Sequence, residues 1–314
     1  MKKALVVGIN GYGTSPLSGC INDATSFGNL IETNQDGAAN FAVKIITDDK
    51  ETVTKGGLKK AISELFNGAN DTALLFFSGH GFSNEFGGCI VTPDYSSYDE
   101  GISMDDILKI AIKSKARNKI IILDCCHSGI FGEVDDTSGK SIISEGMTIL
   151  TACRNDESAI EINGHGIFTS LLLEGLSGGA ADVIGKITPG SLYSYIDKAL
   201  GPWEQRPIFK TNISRFTSIR DVQPRVKINV LRNISIYFPS ANYQFQLDPS
   251  YEYTQDCAKP ENVKVFKELQ QLQSIGLVVP VDEEYMYLVA MNSKKCRLTA
   301  VGHLYWKLSR EKKI

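Results

Sequence analysis

Five short apolar runs punctuate the first half of the chain, at residues 4–9, 42–47, 73–78, 119–123 and 147–151. Each has the length of one buried β-strand. Between them, apolar residues recur at helical spacing: Phe27, Leu30 and Ile31 within 24–31, then Leu58, Ala61, Ile62 and Leu65 within 58–66. Segments 105–112 and 168–176 carry the same pattern. Strand-like and helix-like segments in alternation predict an α/β domain, with a largely parallel sheet and helices on its faces. Ligands of such sheets bind at the carboxyl ends of the strands, so chemistry is sought there. Two stretches rich in Gly, Ser and acidic residues, 82–101 and 130–145, read as long loops of the kind that carry function.

The alternation stops near residue 225. Residues 262–275 read as a helix with Val265, Phe266, Leu269 and Leu272 on one face. Gly276 leads into a strand over 276–279, residues 285–291 read as a second strand, and 298–308 as a closing helix. This order resembles the back half of a winged-helix domain. The expected organisation is a large α/β domain over 1–224 and a small α+β, winged-helix-like domain with its connecting segment over 225–314.

Composition narrows the class. A chain of 314 residues with 42% hydrophobic and 22% charged residues is an ordinary globular protein, large enough for one domain plus a small second one. A net charge of −3 gives no global attraction to nucleic acid or membrane. Seven cysteines, an odd number with no C-x-x-C pair, argue against a disulfide framework or a zinc ribbon and lead us to expect a reducing, cytoplasmic setting. The run 4–9 is too short for a signal peptide, and no apolar stretch approaches the ~20 residues of a membrane span.

Two strand ends carry chemistry. Residues 74–78 run into Gly79-His80-Gly81, and 120–123 run into Asp124-Cys125-Cys126-His127-Ser128-Gly129. A cysteine peptidase needs a thiolate, a base to take its proton and donors for the oxyanion. A His and a Cys at the ends of adjacent parallel strands would meet across the top of the sheet. Taken singly, His80 reads as a strand-end histidine and Cys126 as a buried thiol. Gly8-x-x-Gly11-x-Gly13 lacks the dinucleotide-binding spacing, and Ser128 lacks the flanks of a nucleophile elbow.

Ser78-Gly79-His80-Gly81 followed by Asp124-x-Cys126-His127-Ser128-Gly129 resembles the catalytic signature of the metacaspases and orthocaspases, within the caspase-like cysteine peptidases. Further stations of the same family follow in order: Gly8-Ile9-Asn10 with Ser18-Gly19-Cys20-Ile21-Asn22-Asp23-Ala24, Pro93-Asp94-Tyr95, Asp105-Asp106, Thr151-Ala152-Cys153, Gly166-Ile167-Phe168-Thr169 and Gln205-Arg206-Pro207. The resemblance spans about residues 1–220. It implies a caspase-like, mainly parallel sheet flanked by helices, a His80–Cys126 dyad, and an oxyanion hole from the backbone N–H groups of Gly81 and Cys126. Cys125 becomes the spacer before the nucleophile.

The resemblance also implies an acidic primary pocket of Cys20, Asp23, Ser78 and Asp124, suited to a substrate Arg or Lys. The competing reading of Asp23 is a cap on the helix that follows it. A loop calcium site is implied at Asp94, Asp105, Asp106 and Glu133, although Asp105 and Asp106 also suit the first turn of a helix. The chemistry itself needs no cofactor. Lys140, the single basic residue of 130–145, is the expected point of self-cleavage.

The leading expectation is therefore a regulated cysteine endopeptidase cutting after Arg or Lys, by analogy in a bacterial stress or defence pathway, with no membrane partner. Its rivals are a caspase-like signalling adaptor and a DNA-binding regulator. Either would act through the C-terminal domain, whose Lys294, Lys295, Arg297, Lys312 and Lys313 offer a basic surface to a regulatory protein or to DNA.

Overall fold

The computed structural model describes residues 1–84, 87–96, 99–125, 143–152, 161–162, 164–200, 207–214 and 217–314. They form two compact units, 1–182 with 186–223, and 183–185 with 224–314.

In chain order, the first unit runs β1 (Lys2–Gly8), α1 (Cys20–Glu32), β2 (Phe41–Thr47), α2 (Lys55–Phe66) and β3 (Thr72–Ser78). Three strands follow, β4 (Gly81–Asn84), β5 (Gly87–Ser96) and β6 (Asp99–Ser103), then α3 (Met104–Ile112), β7 (Asn118–Asp124) and β8 (Met147–Thr151). Short strands β9 (Glu161–Ile162) and β10 (His165–Gly166) lead into α4 (Ile167–Glu174). The unit closes with β11 (Lys186–Ile187), α5 (Pro189–Leu200), β12 (Ile208–Asn212) and β13 (Arg220–Asp221).

The main sheet has the order β12-β8-β7-β3-β1-β2. All its pairings are parallel except that of β12 with β8. Side chains alternate across it. Leu5 and Val7 face a core shared with Leu58 and Ile62 of α2 and Ile107 of α3. Ala4 and Val6 face a second core with Phe27 and Ile31 of α1 and Leu172 of α4. Burial on both faces is why the central strands β3 and β7 read as apolar runs, while the edge strand β2 carries the exposed Lys44. The main strands and helices thus lie where the pattern predicts them, and the fold is the expected α/β sheet between helical layers.

The segment 82–101 departs from the pattern. Its described residues form not a loop but most of a three-stranded antiparallel sheet, β4-β5-β6. Ile90, Val91 and Ile102 are buried in the core that also holds α3. Glycine at 101 permits this pairing, since a Cβ there would lie 2.0 Å from the Ile90 carbonyl oxygen. Small polar residues between the buried ones disguise the strands.

The second unit contains α6 (Ile228–Tyr237), β14 (Gln244–Gln246), α7 (Pro260–Ser274), β15 (Val278–Val281), α8 (Met286–Met291), β16 (Lys295–Leu298) and α9 (Ala300–Arg310). Its antiparallel sheet has the order β14-β16-β15. Leu231, Ile234, Phe238, Leu269, Leu272, Val289 and Cys296 share its core. The expected helix over 262–275 is present as α7. The expected second strand over 285–291 is instead helix α8, and the strand lies further on as β16. Met286, Val289 and Ala290 are the buried residues of that segment, an i, i+3, i+4 spacing that belongs to a helix. The tyrosines at 285 and 287 invite a strand reading, but both are exposed. The two successive strands expected after α7 are therefore replaced by strand, helix, strand. Among the described residues, no helix of either unit is long and apolar enough to cross a membrane.

Candidate active site

The ends of β3 and β7 lie side by side, with Ser78 in register with Asp124. The Gly79 N–H donates to the Asp124 carbonyl at 3.3 Å, which extends the pairing one residue past the strand. His80 follows Ser78 by two residues, and Cys126 follows Asp124 by two. Adjacent strands are about 4.8 Å apart. Cys126 itself lies outside the described residues, as do His127, Glu133 and Lys140. Cys125 is described: it is fully buried in the core under the sheet, as befits a spacer that does not face substrate.

His80 is held on three sides. Its Nε2 lies 2.7 Å from the Ser15 carbonyl oxygen. A carbonyl only accepts, so Nε2 carries the proton, and in the neutral ring Nδ1 is the remaining base. The His80 backbone N–H donates to the Tyr12 hydroxyl at 3.1 Å, and the Tyr12 ring meets the imidazole edge-on with centroids 4.6 Å apart. The loop 10–19 that supplies Tyr12 and Ser15 is itself tied down. Asp48 accepts from the backbone N–H groups of Asn10 and Gly11, and the Asn10 side chain bridges the Ser18 carbonyl and the Cys20 N–H.

Gly81 starts an edge strand. The Val91 N–H donates to the His80 carbonyl at 2.9 Å, so His80 and Val91 are a hydrogen-bonded pair of the antiparallel ladder. Gly81 and Ile90, the next pair, are then of the non-bonded type, and the Gly81 N–H points away from β5. The Tyr12 hydroxyl stands where the second bond of the His80–Val91 pair would run, taking the His80 N–H and donating to the Val91 carbonyl at 3.4 Å.

The acidic residues also converge. Asp23 and Asp124 are each 1% exposed. One Asp23 oxygen accepts from the Ser78 hydroxyl at 2.8 Å, and the other lies 2.8 Å from His165 Nδ1. Asp124 accepts from the Thr169 hydroxyl at 2.7 Å. Burial pushes the Asp23 carboxyl up to about 6, helped by the negative Asp124 beside it, while the bonds from His165 and Ser78 pull the other way. Cys20, also buried, sits one turn before Asp23 on α1. Helix α1 begins at Cys20 with Gly19 as its N-cap and no side-chain cap, so Asp23 lies inside the first turn and does not cap the helix. Composition and spacing alone single out neither Tyr12 nor His165. Tyr12 sits inside the opening motif, and His165 immediately precedes Gly166-Ile167-Phe168-Thr169.

The carboxylates assigned to calcium are spent on other partners. Asp94 accepts the Lys55 backbone N–H at the start of α2, with distances of 3.0 and 3.1 Å to its two oxygens. Asp106 pairs with Lys59 at 2.7 Å, and Asp105 with Lys109 one turn on. Among the described residues, no group of three or more His, Cys, Asp or Glu side chains could hold a metal ion. Each of the three described carboxylates of the expected calcium set thus has a protein partner, and Glu133 lies outside the described residues. In the second unit Lys294, Lys295, Arg297 and Lys312 are exposed, and Lys313 pairs with Glu311.

The caspase-domain family profile matches residues 1–215. Among curated proteins, metacaspase-2 of Trypanosoma brucei brucei is 31% identical over 147 residues, covering 40% of this chain and 41% of that protein. Metacaspase-1B of Aspergillus fumigatus is 29% identical over 192 residues, covering 52% and 45%. The chain thus spans less than half the length of these relatives. The crystal structure of caspase-1 from Spodoptera frugiperda superposes with a TM-score of 0.51 at 12% identity, over 71% of this chain and 90% of that one. A Geobacter sulfurreducens protein of known structure gives the same TM-score at 18% identity, over 71% and 98%.

Proposed function

The chain belongs to the caspase-domain family, and from that premise we propose that it is a cysteine endopeptidase that cuts after arginine or lysine. The observation that carries the specificity is the buried pair Asp23 and Asp124 beside the ends of β3 and β7. Two carboxylates close enough to raise Asp23 are stabilised by a cation placed between them, and a guanidinium can serve both with directed N–H donors.

In this reading, His80 takes the Cys126 proton on Nδ1, the ring nitrogen left as base by the Nε2–Ser15 bond. The thiolate attacks the carbonyl that follows the basic residue. The Gly81 N–H, directed away from the β4–β5 ladder, and the Cys126 N–H receive the oxyanion. The imidazolium then gives its proton to the leaving amine, and water releases the acyl group from sulfur. Self-cleavage at Lys140 would follow the same preference for a basic residue. The second unit, with its exposed basic strand β16, is the place where a regulatory partner would act.

The test uses fluorogenic peptides ending in Arg, Lys or Asp, each with and without added calcium. Turnover after Arg and Lys, with none after Asp, is expected. Turnover after Asp with none after Arg would overturn the pocket reading. No turnover in any well, together with a captured protein partner, would favour the adaptor.

A further inference from the structure

We infer that His165 is a positioning residue of the primary pocket, held by Asn22 as a neutral Nδ1–H donor so that Asp23 stays oriented and charged. The inference rests on the reading of Asp23 as a pocket carboxylate.

Three contacts fix the protons. The Asn22 side-chain nitrogen lies 3.0 Å from the Gly164 carbonyl oxygen, which can only accept, so that atom is the amide donor. The same nitrogen lies 3.1 Å from His165 Nε2. Its second proton points there, and Nε2 must present a lone pair. The ring's proton is therefore on Nδ1, 2.8 Å from Asp23 Oδ1, and donates to it. A second proton on Nε2 would face the Asn22 amide protons. Turning the amide over would set its oxygen against the Gly164 carbonyl. The relay Gly164–Asn22–His165–Asp23 thus places the proton of the neutral ring on Nδ1.

The consequence is electrostatic. An imidazolium against Asp23 would cancel half of the pocket's charge and compete with the substrate's cation. A neutral donor fixes one Asp23 oxygen while leaving the charge in place, and Ser78 fixes the other with its hydroxyl. Thr169, four residues beyond His165, holds Asp124 in the same way. One short segment, β10 and the first turn of α4, thereby orients both carboxylates with neutral donors.

The experiment uses the full chain. Imidazole ¹⁵N shifts at pH 7, assigned by loss of the signal in His165→Ala, should report a neutral Nδ1–H ring; an imidazolium or an Nε2–H ring would overturn the inference. This readout does not depend on peptidase activity. In peptide assays, His165→Ala should raise KM for an Arg substrate roughly tenfold with a smaller effect on kcat, the usual scale for losing one hydrogen bond to a charged group. His165→Asn, whose amide nitrogen can occupy the Nδ1 position, should recover most of that loss. Asn22→Asp replaces the amide donor facing Nε2 with an acceptor and should add a proton there in the same ¹⁵N spectra. An unchanged Nδ1–H ring in Asn22→Asp would overturn the inference. If Asp23→Asn raises KM while the His165 variants do not, the role of His165 fails alone. If Asp23→Asn leaves KM unchanged, the pocket reading fails and the role fails with it.

Discussion

The Tyr12 hydroxyl accepts the backbone N–H of His80 at 3.1 Å, and the same ring packs edge-on against the imidazole. One buried tyrosine thus sets both the chain and the ring of the expected base. Burial pushes its hydroxyl well above the ordinary phenol range, which keeps it a neutral donor to Val91. Glycine at 79 is part of the same contact, since a Cβ there would lie 2.3 Å from the Tyr12 hydroxyl oxygen.

Tyr12→Phe should therefore impair catalysis more than binding. Without the hydroxyl, either the His80 N–H and Val91 carbonyl lose their partner, at about 1–3 kcal/mol, or β4 closes onto β5 and carries His80 with it. We expect kcat to fall roughly tenfold or more with KM little changed, since small misplacements of a catalytic group are costly. Steady-state kinetics and a thermal melt on the same variant test this. An unchanged kcat with a lowered Tm would make Tyr12 purely structural.

The adjacent cysteines should separate cleanly. Cys126→Ala should abolish peptide cleavage and leave the melting temperature nearly unchanged. Cys125→Ala removes a thiol from a close-packed core, at a cost of about 1–2 kcal/mol, but should keep activity after Arg. Loss of turnover in Cys125→Ala at a temperature where it remains folded would move the nucleophile by one residue.

The central strands β1, β3, β7 and β8 are legible because both faces of the sheet are buried there, which writes each as an apolar run, whereas α5 and the edge strand β12 are not anticipated. The β4-β5-β6 sheet is not legible, because its buried Ile90, Val91 and Ile102 are scattered among glycines and polar residues and its Phe82 and Tyr95 are exposed. Residues 285–291 mislead for a related reason: Tyr285 and Tyr287 have strand-like character, yet Met286, Val289 and Ala290 do the packing. The site divides similarly. The strand-end position marks His80, while the pocket role of Asp23 and Asp124 is carried by the family resemblance. Ser15 acts through its carbonyl, and a backbone group leaves no trace in the residue type. His165 is recognisable only once β10 is seen to bring it to Asp23 from 142 positions away.

The pH dependence of stability follows from Asp23. Its carboxyl sits at about 6 in the folded chain against an ordinary value of 3.8. The folded protein therefore holds this proton more tightly than the unfolded chain. The associated stability is fully present below about pH 4 and is lost as pH rises through about 6. Asp124, His165 and Ser78 are the groups that act on it, and burial is the largest cause. Asp23→Asn should be more stable than the parent at pH 7, by up to the order of 3 kcal/mol, and equal to it near pH 4. Urea midpoints at the two pH values decide this. In the parent, KM for an Arg peptide should rise as pH falls through 6, because the protonated carboxyl no longer attracts a cation. Asp23→Asn should lack that rise.

The last prediction concerns Asp94. Its carboxylate receives the first backbone N–H of α2, where the helix dipole favours a negative charge. Lys55 also pairs with Asp99, while Lys59 on the next turn pairs with Asp106, so α2 draws three acidic residues onto one end. A calcium ion at Asp94 and Asp106 would have to break these contacts and meet the neighbouring ammonium groups. Asp94→Ala should thus lower stability by about 1 kcal/mol, the scale of a lost helix cap, and by the same amount in calcium and in chelator. Thermal melts under both conditions check this. A calcium-dependent rise in Tm that disappears in Asp94→Ala would show that the carboxylate leaves α2 for the ion, and would return Asp94, Asp105, Asp106 and Glu133 to a common cation site.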